Sequence, residues 1–198
     1  EYLTVYPSAT MADSAYNATR DGFLGWQMVN LVRASAKHST KAYLYYFSHT
    51  PPGGEHKVAG PGGQGERELG AFHAGEIAYV FNNLEMPDKY GPNWPDGRPQ
   101  PTDRQLADMM SDYWVAFAHT GEPKVPGLPT WLAYTEQQQT YMEFNAKHFQ
   151  SGGQQNTHLL PQAMSLWDGI FADWYSAGRY WRRNEVGYSR LPDKSPDR

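Results

Sequence analysis

The run Lys41-Ala42-Tyr43-Leu44-Tyr45-Tyr46-Phe47 sets the tightest constraint on how this chain can fold. Nearly every position is apolar or aromatic, the pattern of a strand covered on both faces. Pro51-Pro52-Gly53-Gly54 stops it. Such a strand needs neighbours, and the rest of the chain offers one alternating segment, Thr140-Tyr141-Met142-Glu143-Phe144, which suits an edge strand. One strong strand and one weak one do not make a sheet, and so apolar an edge left open invites aggregation. The expectation is part of a larger folded unit, helix-rich, with one buried sheet strand and a short edge strand.

The remaining elements follow from periodicity and punctuation. Tyr2 to Tyr6 reads as a short extended piece ended by Pro7, and Ser8 as the N-cap of a helix through Met11, Ala12, Ala15 and Ala18. A second helix is expected from about Arg20 to Lys37, with Phe23, Leu24, Gln27, Met28, Leu31 and Val32 as its broad apolar face. Gly53 to Gly65 reads as a surface loop whose glycines lack the spacing of a phosphate-binding loop. Met86 to Pro101 reads as irregular. Thr102 then caps a strong helix from Asp103 to about Thr120, with Leu106, Met109, Met110, Tyr113, Trp114 and Phe117 on one side and Gly121 at its end. A polar stretch from Gln150 to Asn156 precedes a last helix from Pro161 to about Ala177. The remainder, through Arg198, reads as a loose tail.

Composition narrows the function. A length of 198 residues suffices for one domain with a core, and the 15% aromatic content rules out disorder over most of it. A net charge of -4 without a Lys/Arg-rich run argues against nucleic acid as a partner; Arg179, Arg182 and Arg183 read as a solvated tail. With no cysteine, disulfide and thiolate chemistry are removed. No apolar run approaches the length that spans a bilayer. The chain starts at Glu1 without Met, in what reads as the middle of a folded segment. Asn17-Ala18-Thr19 matches a glycosylation sequon, a pattern too common to carry weight.

One histidine sits unlike the others. In Gly70-Ala71-Phe72-His73-Ala74-Gly75-Glu76-Ile77, the imidazole lies between small residues where a loop turns into a short helix. Glu76 falls in the first helical turn, where its charge suits the macrodipole, while Ile77, Val80 and Phe81 can pin that helix to a core. On these residues alone, a structural histidine stays ahead of a catalytic one. His38, His49, His56, His119, His148 and His158 show no metal-type spacing and read as surface or capping residues. Asp13 and Asp21 read as helix-end charge on the surface.

Taken in order, several blocks resemble the C-terminal portion of the type-B carboxylesterase family, the α/β-hydrolases that include cholinesterases and bacterial para-nitrobenzyl esterases. They are Arg20-Asp21-Gly22-Phe23; Tyr43-Leu44-Tyr45-Tyr46-Phe47; Phe72-His73-Ala74-Gly75-Glu76-Ile77; Tyr113-Trp114-Val115-Ala116-Phe117-Ala118-His119-Thr120-Gly121-Glu122-Pro123; Leu128-Pro129-Thr130-Trp131; and Ser165-Leu166-Trp167-Asp168. The Gly/Pro-rich linkage between Pro51 and Gly65 is closer to the bacterial branch. The resemblance implies an α/β fold, the C-terminal part of an α/β-hydrolase, with residues 1–178 as that segment and 179–198 as a tail. It implies hydrolysis of carboxylic esters through a Ser-His-Glu triad and an acyl-enzyme, with His73 as the base.

Glu76 tempts as the triad acid, but it lies only three residues on, and a structural or supporting role is the better reading. No Gly-x-Ser-x-Gly elbow and no Gly-Gly oxyanion loop at a strand end occurs in these residues. The chain order Ser, acid, His of this fold therefore places serine and acid upstream of Glu1, on an N-terminal part of the same enzyme. The isolated chain is then expected to be inactive. No cofactor or metal is implied, the substrate is a small-molecule ester, and the resemblance alone favours a secreted or periplasmic location. The alternative is a non-catalytic, cholinesterase-like adhesion protein, for which an imidazole at position 73 has no use. A free-standing helical domain is a third reading, against which the unpaired strand argues.

Overall fold

A computed structural model describes residues 2–7, 11–38, 41–54, 57–59, 66–85, 98–147 and 154–176. Ser8 as a cap, most of the Met86–Pro101 stretch, and the tail with its three arginines lie outside the described residues. The elements in order are α1 (Tyr2–Val5), α2 (Met11–Thr19), a π-helical turn (Arg20–Gly25), α3 (Trp26–Lys37), β1 (Tyr45–Phe47), β2 (Lys57–Ala59), β3 (Glu66–Glu68), α4 (Ile77–Val80), α5 (Pro101–Thr120), β4 (Thr140–Phe144), β5 (Gln154–Thr157) and α6 (Pro161–Ser176).

A sheet does form, in the order β1-β4-β5, and β4 is its centre rather than its edge. β1 runs parallel to β4 with Tyr45 opposite Met142, and β5 runs antiparallel with Thr157 opposite Thr140. The alternation in β4 is real: Thr140, Met142 and Phe144 are buried and Tyr141 and Glu143 are half-buried. β5 falls in the polar stretch expected to be a separator. Its residues carry no apolar alternation because they pair along an outer edge. The expected loop from Gly53 to Gly65 instead contributes β2 to an antiparallel hairpin with β3, Val58 opposite Arg67. Tyr2 to Val5 is helical rather than extended, and Tyr6 N–H donates back to Tyr2 O at 2.8 Å.

β1 is shorter and less covered than its composition suggests, with all three residues half-buried. Met142 N–H donates to Leu44 O at 2.9 Å and Ser48 N–H to Phe144 O at 3.1 Å, so the even-numbered residues turn their amides to β4. Backbone alternation then turns those of Tyr45 and Phe47 to the opposite edge, where no strand pairs among the described residues.

Helix α5 follows its expected pattern but starts two residues earlier. Gln100 is the N-cap and Pro101 the first helical residue, so Thr102 lies in the first turn. Asp103 closes a capping box with Gln100, and Gly121 ends the helix in the left-handed region at φ 75°. Leu106, Ala107, Met109, Met110 and Tyr113 are buried, while Phe117 is 46% exposed. They join Tyr79, Trp131, Met142 and Phe144 in one core, on the α5 face of the sheet.

The second core joins Tyr6, Ala18, Trp26, Val29, Val32, Leu44, Tyr134, Ala163 and Met164. The π-helical turn and α3 have two apolar stripes, and the one turned inward is Trp26, Val29 and Val32. Of the expected face only Val32 is buried; Phe23 is 73% exposed and Leu31 61%, with Leu24 and Met28 also open. Gly22 lets Trp167 lie against the helix: a Cβ there would sit 2.5 Å from the indole.

Candidate active site

The turn that carries His73 is fastened to the loop after β1. Gly54 N–H donates to Pro51 O and Gly70 N–H to Gly54 O, both at 2.7 Å. Gly70 occupies φ 65°, which glycine adopts without strain. His73 to Glu76 then form a tight turn, closed by Gly75 N–H to Phe72 O at 3.0 Å and Ile77 N–H to Ala74 O at 3.2 Å. Ala74 sits at φ 68°, a conformation that costs a residue with a Cβ and persists only where its surroundings enforce it. Ile77 and Phe81 do not pin α4, being 40% and 74% exposed; Ala78 and the fully buried Tyr79 do.

His73 itself is exposed, and its ring makes no hydrogen bond among the described residues. Glu76 stands just before α4 rather than within its first turn, and gives no side-chain cap. Its Oε1 lies 3.5 Å from Tyr45 Oη, at the limit of a hydrogen bond. Burial, and then the Glu76 carboxylate, push the Tyr45 hydroxyl up to about 12. No hydrogen bond joins Glu76 to His73 among the described residues.

A second imidazole forms the pair that sequence reasoning missed. His49 is not at the surface: its side chain is 13% exposed and Nε2 lies 2.7 Å from Asp103 Oδ1. Ala146 N–H points at Nδ1 at 3.4 Å, which makes that nitrogen the acceptor and leaves Nε2–H to donate to Asp103. His49 is thus held inside the fold by Asp103, with Nδ1 facing the Ala146 amide. Tyr79 Oη donates to the same Asp103 oxygen at 2.7 Å, and Gln100 N–H to the other at 2.7 Å. Burial opposes the charge on Asp103, but these donors outweigh it and hold the carboxyl below its usual range. The available signal was Asp103 itself, three residues past Gln100 at the start of a strong helix.

Asp21 is likewise buried rather than a surface charge. It accepts from Tyr6 Oη at 2.9 Å and Arg20 Nε at 2.6 Å, and Trp167 Nε1–H donates to Tyr6 Oη at 3.0 Å. This network ties the end of α1, the π-helical turn and α6 together. No group of three His, Asp or Glu side chains suited to a metal occurs among the described residues. No described helix is long and apolar enough to cross a membrane.

A family model described as the carboxylesterase family matches residues 6–167. The chain belongs to that family. Among its relatives, human bile salt-activated lipase is 34% identical over 119 residues, 58% of this chain and 13% of that protein. The acetylcholinesterase of Bungarus fasciatus is 26% identical over 170 residues, 78% of this chain and 24% of the relative. The solved carboxylesterase of Geobacillus stearothermophilus superposes with a TM-score of 0.63 over 84% of this chain and 31% of that one, at 23% identity. That likeness is one of fold, and it makes the sheet and its flanking helices part of an α/β-hydrolase fold. This carboxylesterase-family chain therefore spans less than a third of the length of the proteins named here.

Proposed function

We propose that this chain supplies the general base, His73, of a carboxylic ester hydrolase whose serine, acid and oxyanion hole lie on an N-terminal part of the same enzyme. The observation that carries the reading is the placement of His73 in a chain of this family. It is exposed, on a turn fastened at its upstream side, and its ring makes no hydrogen bond among the described residues, whereas His49 is largely buried against Asp103. The chain alone, holding only the base, is inactive on this reading.

The chemistry requires an imidazole. Serine is a weak nucleophile until a base takes its proton, which His73 does as the hydroxyl attacks the ester carbonyl. Backbone amides of the upstream part hold the oxyanion. The imidazolium returns the proton to the departing alcohol, leaving an acyl-enzyme. Water, deprotonated by the same ring, then releases the acid and restores serine. A carboxylate from upstream fixes the tautomer. Glu76, turned toward Tyr45, braces the turn instead.

Two features support an upstream part as the partner. The outer edge of β1 is unpaired among the described residues, and Phe23, Leu24, Met28 and Leu31 expose an apolar helix face. A fluorophosphonate probe on the complete enzyme tests the proposal. Labelling of a serine outside residues 1–198, abolished in His73→Ala, is the expected outcome. Labelling unaffected by that substitution counts against it.

A further inference from the structure

We infer that Asp103 is a positioning residue for His73, acting through the Tyr79 hydroxyl. The inference rests on the reading of His73 as the base. Its starting point is the strained residue beside that base: Ala74 at φ 68° needs restraint on both sides of the turn. Upstream, the restraint is the Gly70 N–H on Gly54 O, which refers the turn to the loop after β1. Downstream there is only α4, four residues long and too short to hold itself.

Ala78 and Tyr79 both bury α4, and the residue that also ties it to α5 by a hydrogen bond is Tyr79. Its ring is fully buried, packed against Phe47 at a centroid distance of 5.2 Å, and its hydroxyl ends on Asp103 Oδ1. The same oxygen accepts from His49, two residues past the end of β1. Both sides of the His73 turn are thus referred to the segment that follows β1: one through a backbone bond to Gly54, the other through Tyr79, Asp103 and His49. A carboxylate suits the junction because one oxygen can take two donors while the other takes the Gln100 N–H. An amide has one acceptor oxygen and would turn an N–H₂ toward a donor. Helix capping alone uses Oδ2; it explains neither the buried tyrosine hydroxyl nor the histidine on Oδ1.

The test separates positioning from support of the fold. Tyr79→Phe keeps the ring and removes only the hydroxyl, leaving the capping box and His49 in place. In the complete enzyme, kcat on a p-nitrophenyl ester is expected to fall between about 10- and 100-fold with KM changed less than about twofold, because misplacement of the base costs turnover. The His73 ring proton signals are expected to broaden or split relative to those of the parent. Unchanged kcat with unchanged ring signals, whatever happens to the unfolding midpoint, overturns the inference. If Tyr79→Phe does not fold, Asp103→Glu, which shifts the acceptors by one methylene, is read by the same split, and an unchanged kcat there overturns it equally. A His73→Ala arm distinguishes the two levels. Full activity in that arm removes the catalytic reading, whereas loss there with none in Tyr79→Phe removes only the role of Asp103.

Discussion

The Trp26 indole N–H donates to Asp168 Oδ1 at 2.8 Å, joining two helices across 142 positions of sequence. Arg33 Nη1–H donates to the same oxygen at 2.7 Å, and the Trp26 ring stacks on Phe171 with centroids 3.9 Å apart. Asp168 thus fastens α6 to the inward stripe of α3. Its side chain is 42% exposed, so solvent discounts the ion pair and the indole bond carries most of the effect. Asp168→Ala is expected to lower the stability of the complete protein by about 1–2 kcal/mol, read from urea unfolding. An unchanged midpoint excludes this role.

Gly22→Ala sets two opposed effects against each other. Alanine in place of a helical glycine gains about 1 kcal/mol of propensity. The added Cβ, however, would stand 2.5–2.6 Å from three atoms of the Trp167 ring. That ring is tied by its N–H to Tyr6 Oη and cannot slide freely. Overpacking of this kind costs about 1–3 kcal/mol, so net destabilisation is expected in thermal unfolding. A raised Tm contradicts it.

Acid should loosen the junction at Asp103. Its folded-state pKa lies below the ordinary carboxylate value because the donors from His49, Tyr79 and Gln100 outweigh burial. Its stabilisation is therefore complete above the unfolded value of about 3.9 and is lost as pH falls through the lower folded value. Urea midpoints from about pH 6 down to about pH 2.5 should decline less steeply in Asp103→Asn than in the parent. Identical slopes contradict the assignment.

How much of this was visible beforehand depended on the kind of signal. α5 was legible because Leu106, Met110 and Tyr113 recur at helical spacing on one face. β4 was legible in its burial alternation, but its central place was not, because β5 is polar and is a strand only by pairing with it. Periodicity found the helix over 20–37, but of the face it named only Val32 turns inward, beside Trp26 and Val29, because both stripes are apolar and only tertiary packing selects. The position of His73 before a short helix was readable. The cluster of His49, Tyr79 and Asp103 was not, because its members lie 24 and 54 positions apart and meet only after folding.

The exposed stripe supplies its own test. Phe23 and Leu31 are 73% and 61% exposed in this chain, so Phe23→Lys and Leu31→Lys should cost less than about 0.5 kcal/mol wherever that face meets water. If an upstream part covers it, burying the ammonium in the complete enzyme should cost more than about 2 kcal/mol. The second outcome is expected. Unfolding midpoints within the small range would place the partner elsewhere.

The most direct measurement is kcat/KM of the complete enzyme for p-nitrophenyl acetate with His73 replaced by Ala. Loss of the base from a serine triad is expected to lower it by about 10⁴-fold or more, with the residual rate supplied by oxyanion binding. Hydrolysis at the parental rate would contradict the assignment of His73 and favour a binding protein built on this fold.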